Sequence, residues 1–139
     1  MAYPEMLVAP MRQQLEQVGF KSLMNASEVE QALNSKQGTQ LLVFNSVCGC
    51  AAGTCRPGVI AAVTGDNKMP SELLTVFAGQ EADAVAKARE FTLPYPPSSP
   101  SIALFKDGNL VHFIERHMIE GRSAEMIAEN LKGAFAEYC

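Results

Sequence analysis

The chain has 139 residues, of which 47% are hydrophobic and 19% charged, and its net charge is -4. That length and composition allow one sizeable core but are short for two, so we expect a single domain over residues 1–139. The acidic balance gives no electrostatic footprint for nucleic acid or an anionic membrane, and we expect neither as a partner. No apolar run approaches a membrane span, and residues 1–6 lack the basic cluster and apolar core of a signal peptide, so we expect a cytoplasmic protein.

The first 37 residues predict a helical extension. Apolar side chains recur every three to four positions in residues 4–18, which predicts an amphipathic helix that Gly19 ends. Ser27 followed by Glu30 fits a capping box and predicts a second helix. The side chains of this helix that should face inward are those of Val29, Ala32 and Leu33.

Residues 40–91 predict two strands and two helices in alternation. The apolar run 41–47 predicts a strand buried on both faces, and an Ala-rich helix should follow over 51–63. Residues 73–77 predict a second strand, so the first helix becomes a right-handed crossover between parallel strands. A further helix is expected over 81–91, with an apolar side formed by Ala82, Val85, Ala86 and Phe91.

The pattern changes after residue 91. Four prolines between positions 94 and 100 exclude a regular element and lead directly into a strand at 102–105. Asp107-Gly108 is a strong hairpin signal between that strand and another at 110–114. Ser123 is placed to cap a last helix, whose apolar face should carry Met126, Ile127, Leu131 and Phe135.

Three of the four cysteines lie between the first predicted strand and the helix that follows it. Cys48 falls at the strand–helix junction, where unpaired N–H groups and the helix dipole lower a thiol pKa and so favour the nucleophilic thiolate. Gly49 lets the backbone turn sharply enough for the sulfurs of Cys48 and Cys50 to meet. A disulfide across a one-residue spacer closes a tight ring and should be easily reduced. The Cys-Gly-Cys motif, Cys48 to Cys50, therefore predicts a redox site.

Five other residues could take part in chemistry at this site. Cys55 is interpreted as a small buried residue and Cys139 as a mobile surface thiol, although either could form an alternative disulfide. Arg56 could attract a carboxylated thiol or help to hold the thiolate, but a solvated helix position is an equal alternative, and we leave it outside the core site. His112 and His117 have no spacing that ties them to Cys48 and are interpreted as surface or boundary residues.

The order of the predicted elements resembles the thioredoxin fold. That resemblance implies an α/β protein with a mixed four-stranded central sheet flanked by helices, a core at 40–139 and the helical extension at 1–37. The Cys-Gly-Cys motif lies where thioredoxin-like proteins carry their cysteines. Pro100 directly precedes the third strand, where that fold keeps its cis-proline.

Within that superfamily the chain closely resembles the bacilliredoxins. The residues that carry this resemblance are Asn-Ser-Val-Cys-Gly-Cys-Ala-Ala-Gly at 45–53, Arg56-Pro57-Gly58, Met-Arg-Gln-Gln-Leu at 11–15 and Gly19-Phe20. The resemblance implies thiol–disulfide exchange that removes bacillithiol, a low-molecular-weight thiol, from mixed disulfides on client proteins, with some isomerase or reductase activity. It implies no tightly bound cofactor.

The resemblance and the strand–helix junction together give each site residue a role. Cys48 is expected to attack the mixed disulfide and Cys50 to resolve the resulting adduct. The backbone of Ser99 should be free to pair with an incoming peptide, and a cis Pro100 should lie against the sulfur. These four residues form the predicted site.

Two functions of other classes remain open at this point. The first is a zinc-binding or metallochaperone domain that uses the cysteine cluster together with Cys139 or a histidine. Stable zinc sites usually show two paired ligand clusters, however, and this chain has one. A non-catalytic interaction domain on a thioredoxin-like scaffold is the other, because a fold alone does not fix function.

Overall fold

The computed structural model describes residues 3–47 and 49–139, and the side chain of Cys50 lies outside that description. In this part of the chain the helices are α1 (Glu5–Glu16), α2 (Ala26–Leu33), α3 (Gly49–Thr64), α4 (Ala82–Phe91), α5 (Arg116–Ile119) and α6 (Ala124–Tyr138). The strands are β1 (Lys21–Ser22), β2 (Thr39–Asn45), β3 (Glu72–Phe77), β4 (Ser101–Lys106) and β5 (Asn109–Ile114). None of these helices is long and apolar enough to cross a membrane.

The sheet is mixed, and its strand order is β1-β3-β2-β4-β5. β2 pairs parallel with β3 and antiparallel with β4, and β4 and β5 form an antiparallel hairpin. These four strands are the predicted central sheet. The predicted mixed central sheet is therefore confirmed, and the structure adds a fifth strand that the sequence did not predict, since β1 pairs parallel with β3 at the edge. A two-residue strand is too short to show a periodicity in the sequence.

β2 lies at the centre of the sheet and is buried along its whole length. Leu41 and Val43 pack into the cluster that includes side chains of α3, α5 and α6, and Leu42 and Phe44 pack into the cluster formed with α2 and α4. The prediction of a strand covered on both faces is therefore confirmed. The strand ends at Asn45, two residues before its predicted end.

The two predicted helix caps had different outcomes. Ser123 caps α6 as predicted, since its hydroxyl accepts a hydrogen bond from the Met126 N–H at 3.1 Å. The Ser27 cap is wrong, because Asn25 is the capping residue of α2 and accepts from the Glu28 N–H at 2.9 Å. Asn and Ser are equally good caps, so the sequence offered two compatible starting points for one helix.

The predicted apolar face of α4 is confirmed for Val85 and Phe91, which pack against the core cluster that contains Phe44, and is wrong for its two alanines. Ala84 and Ala88 are the buried alanines of this helix, whereas Ala82 and Ala86 are exposed. An alanine-rich helix has a weak hydrophobic periodicity, which leaves its orientation to the contacts of its larger side chains. Met126 of α6 was likewise predicted to face inward and is 52% exposed.

The turn between β4 and β5 follows the predicted hairpin. Asp107 and Gly108 both have positive φ, +50° and +86°, as the two central residues of a type I′ turn require. The turn returns the chain along β5 to the edge of the sheet at which β4 began.

Candidate functional site

The carboxyl ends of β2, β3 and β5 meet the start of β4 at one edge of the sheet. Phe44 pairs with Ser101 across β2 and β4, and Asn45 pairs with Phe77 across β2 and β3. The chain runs from this edge into the Cys-Gly-Cys motif. Cys48 itself lies outside the described residues, so its predicted role as the attacking thiol stays a prediction.

Gly49 begins α3, two residues earlier than the predicted start, which places Cys50 in the first turn of the helix. Gly49 has a φ of +41°, and its N–H donates to the Val47 carbonyl at 2.9 Å. A Cβ added at Gly49 would meet no atom within 4 Å, so the positive φ, and not a lack of space, demands glycine here. The prediction that Gly49 supplies a dihedral unfavourable to other residues is confirmed.

Arg56 is buried beside the end of β2, so the solvated alternative for it is wrong. Its Nη1 donates to Asn45 Oδ1 at 3.0 Å and to the Ser46 carbonyl at 2.6 Å, and its Nε donates to Gln14 Oε1 at 3.1 Å. Among the residues that the structure describes, no carboxylate forms an ion pair with it, and desolvation lowers its pKa. A positive charge is thus held among neutral acceptors immediately before the cysteine motif.

Asn45 connects that cation to the N-terminal extension. Its Nδ2 donates to the Met11 carbonyl of α1 at 3.2 Å, and its Oδ1 also accepts from the Ser46 N–H at 2.9 Å. Together with Gln14, these bonds tie α1 to the segment that leads into the cysteine motif. The polar pair Asn45-Ser46, which directly follows the apolar run 41–44, was the sequence signal for this network.

The proline-rich segment reaches the same edge of the sheet. The Ser99–Pro100 peptide is cis, as predicted, and Pro100 is buried. The Ser99 carbonyl accepts a hydrogen bond from Arg116 Nη1 at 3.2 Å, and the pairing of the Ser99 backbone with a peptide stays a prediction. Ser98 accepts from the Arg116 N–H at 3.3 Å through its hydroxyl and from the Ser101 hydroxyl at 2.8 Å through its carbonyl. Arg116 thereby connects the end of β5 to the segment before the cis-proline.

The two cysteines outside the motif pack into the core. Cys55 is 1% exposed, and burial raises the pKa of its thiol to about 12, which confirms the interpretation of a small buried residue. Cys139 is half-buried against the same cluster, and its N–H donates to the Phe135 carbonyl at 2.8 Å. It is therefore a packed side chain, which corrects the prediction of a surface thiol.

The zinc alternative depends on Cys48 and Cys50, whose side chains lie outside the described part of the chain. Among the side chains that the structure describes, which do not include that of Cys50, no three histidine, cysteine or acidic groups gather as metal ligands would. The His112 ring lies 2.7 Å from Asn130 Oδ1, and the His117 ring 3.1 Å from a Glu115 carboxylate oxygen.

Comparison with solved structures identifies the fold. A mutant thioredoxin from Halobacterium salinarum superposes with a TM-score of 0.57 at 16% identity and covers 87% of this chain and 91% of its own. The thioredoxin of Fasciola hepatica gives 0.57 at 16% identity, with 86% and 99% covered. The molecule is a thioredoxin-fold protein, and its Cys-Gly-Cys motif occupies the junction of β2 and α3.

Comparison of sequences identifies the family. Residues 3–139 match the family described as disulphide isomerase. A bacilliredoxin from Cytophaga hutchinsonii is 61% identical over 135 residues, covering 97% of this chain and 98% of its own length. One from Bacillus licheniformis is 52% identical over 137 residues, covering 99% and 95%. The chain belongs to the bacilliredoxin family and is a thiol–disulfide oxidoreductase.

Proposed function

We propose that this protein removes bacillithiol from mixed disulfides on client proteins, with Cys48 as the attacking residue and Cys50 as the resolving one. The observation that carries this proposal is the electrostatic setting of the motif. α3 begins at Gly49, and the buried charge of Arg56 is bound to the carbonyl of Ser46, two residues before Cys48. Both features favour a thiolate at that point of the chain.

The first step transfers the small thiol to the protein. The Cys48 thiolate attacks the bacillithiol sulfur of the mixed disulfide, the bond between that sulfur and the client sulfur breaks, and the client leaves as a thiolate. The product is a disulfide between Cys48 and bacillithiol. No net oxidation has occurred, because one disulfide has replaced another.

The second step releases the small thiol. The Cys50 thiolate attacks the Cys48 sulfur, bacillithiol leaves as a thiolate, and the two cysteines are left as a disulfide. The two electrons that reduced the client have come from the two cysteine thiols. A second molecule of small thiol can instead attack the bacillithiol sulfur of the adduct, which releases the Cys48 thiolate, leaves a disulfide between the two small thiols and does not use Cys50.

Ser99 and Pro100 are proposed to receive the client polypeptide. The Ser99 N–H and the second lone pair of the Ser99 carbonyl, whose first is bonded to Arg116, would pair with an extended client segment. Arg116 would then act as a positioning residue that fixes this part of the backbone. Bacillithiol is a substrate in this proposal, no tightly bound cofactor is needed, and the reducing cytoplasm is the compartment in which the cycle would run.

The test is to trap the first intermediate. The Cys50→Ala variant is incubated with a bacillithiolated client protein, and the modified cysteine is located by peptide mass spectrometry. We expect a stable bacillithiol adduct on Cys48, since the resolving thiol is absent. In the matched Cys48→Ala variant, any adduct on Cys50 should form much more slowly than the Cys48 adduct of Cys50→Ala. An adduct confined to Cys55 or Cys139 would overturn the assignment.

A further inference from the structure

A groove of about 470 Å³ runs between α4 and the proline-rich segment. Its walls are mostly small or apolar and include Gly79, Ala82, Ala86 and Pro97. The two alanines are those that the sequence pattern predicted to be buried, and they are exposed here because α4 turns another face to the sheet. One cationic side chain, Arg89, also lines the groove.

The guanidinium of Arg89 lies over the ring of Phe44, with its central carbon 4.0 Å from the ring centroid. Its Nη1 is inaccessible to solvent and has no hydrogen-bond partner within the described ranges. Burial lowers the pKa of Arg89, with no opposing contribution from a carboxylate. Stacking on Phe44 holds the guanidinium in place but supplies no acceptor for its N–H groups.

The two most buried arginines, Arg12 and Arg56, differ from Arg89 because their guanidinium groups have hydrogen-bond acceptors. Arg12 donates to both carboxylate oxygens of Glu81, at 2.6 and 2.9 Å, and Arg56 donates to three oxygen acceptors. A buried polar group without a partner is costly, and proteins normally satisfy it. No hydrogen bond to a described residue engages the rest of the Arg89 guanidinium either, and because this half-buried side chain lines the groove, its N–H groups that face the groove are open to an acceptor that a ligand brings.

The groove begins at the edge of the sheet that carries the exchange site. Gly79 comes two residues after the end of β3 at Phe77, which pairs with Asn45 of β2. Pro97, on the opposite wall, comes three residues before the cis-proline Pro100. A substrate held at the exchange site could therefore extend into the groove.

We propose that this groove is a subsite in which Arg89 binds a carboxylate of the mixed-disulfide substrate. The planar fork of a guanidinium matches a carboxylate and binds it through two parallel hydrogen bonds. The mostly small or apolar walls offer few competing polar groups to that pair. The inference rests on the proposed function for the identity of the substrate, and the carboxylate can come from the small thiol or from the client chain.

The kinetic test uses a model peptide with one cysteine. In one arm the peptide is neutral and is linked to mercaptosuccinate, which has two carboxylates, or to 2-mercaptoethanol, which has none. In the other arm the small thiol is 2-mercaptoethanol, and the residues beside the cysteine are glutamate or glutamine. The enzymes are the unmodified protein, Arg89→Gln, Arg89→Lys and the control Lys106→Gln, which removes one exposed cation from the opposite edge of the sheet.

We expect the unmodified protein to favour the carboxylate-bearing substrate by about tenfold in KM in at least one arm, the scale of one charge-assisted hydrogen bond. Arg89→Gln should abolish that preference by raising KM for the acidic substrate only, with kcat nearly unchanged. Arg89→Lys should keep part of the preference for the carboxylate-bearing substrate, and Lys106→Gln should keep all of that preference. The arm that responds identifies the source of the carboxylate. Equal changes for acidic and neutral substrates in both arms would overturn the proposal.

A binding measurement separates this inference from the proposed function. Succinate is titrated into the reduced full-length protein while the Arg89 side-chain N–H resonance is followed by NMR. A saturable shift that disappears in Arg89→Gln is expected, and no response at millimolar succinate would overturn the subsite. If the unmodified protein reduces none of the mixed disulfides but the succinate shift is present, the proposed function fails and the carboxylate site stands.

Discussion

Replacing Arg56 with Met should raise the pKa of the Cys48 thiol. The Arg56 guanidinium lies 2.6 Å from the carbonyl oxygen of Ser46. Two residues of chain span at most about 7 Å, so the charge is within about 10 Å of the Cys48 backbone. At that distance and an effective dielectric constant near 20, a unit charge stabilises a thiolate by about 1.5 kcal/mol, or about one pKa unit.

The same substitution removes three hydrogen bonds and a buried charge. The loss of the bonds destabilises the fold, but the cost of desolvating the guanidinium disappears with it. We therefore expect the free energy of unfolding to fall by only about 1–2 kcal/mol, which leaves the variant folded for the measurement. Arg56→Lys retains the charge and should retain most of the pKa effect.

The assay is the pH dependence of iodoacetamide alkylation at Cys48, read by mass spectrometry in the Cys50→Ala background. The sign follows from the charge: without the cation the thiolate is less stable, so the rate profile of Arg56→Met moves to higher pH by about one unit. Lys106→Met, the same charge change at the far end of β4, should leave the profile in place. An unmoved profile in a folded Arg56→Met protein would refute the reasoning.

Three further predictions concern stability. Gly58→Ala would place a Cβ 2.8 Å from the Ile127 side chain and should lower the free energy of unfolding by about 1–3 kcal/mol. Gly53→Ala, in open space on the same helix, should raise the free energy of unfolding by about 0.5–1 kcal/mol. Equal denaturation midpoints for the two variants would contradict this prediction. The folded-state pKa of Cys55, about 12, exceeds its ordinary 9.0, so its contribution to stability is complete below pH 9 and is lost as pH rises towards 12. Cys55→Ala should flatten that decline in denaturation curves recorded across this range, and parallel curves would count against it. Arg12→Met leaves a partly buried carboxylate unpaired and should cost about 3 kcal/mol in a chemical denaturation measurement, which a change below about 1 kcal/mol would disprove.

The sequence predicts those parts of the site that depend on neighbouring residues. The apolar run of β2, the positive φ of Gly49 and the hairpin at Asp107 all arise from preferences of a few adjacent residues. Pro100 was predicted from its position directly before a strand and from the resemblance of the element order to the thioredoxin fold. These local signals were sufficient to locate the Cys-Gly-Cys motif between a strand and a helix.

The sequence does not predict contacts that join distant segments. β1 exists because Lys21 and Ser22 lie beside β3, more than fifty residues away in the chain, and two residues carry no pattern of their own. The burial of Arg56 likewise depends on Gln14, 42 positions earlier. An isolated arginine on a helix is normally solvated, so only the three-dimensional arrangement distinguishes Arg56 from that default.

The N-terminal extension supports the segment that leads into the cysteine motif. Its helix α1 supplies the Gln14 acceptor for Arg56 and the Met11 carbonyl for Asn45. A cation buried without a carboxylate is expensive, and it is retained only where neutral acceptors from several segments converge on it. Because α1 provides some of those acceptors, the charge beside the cysteine motif depends on the docking of a helix that precedes the predicted thioredoxin-like core.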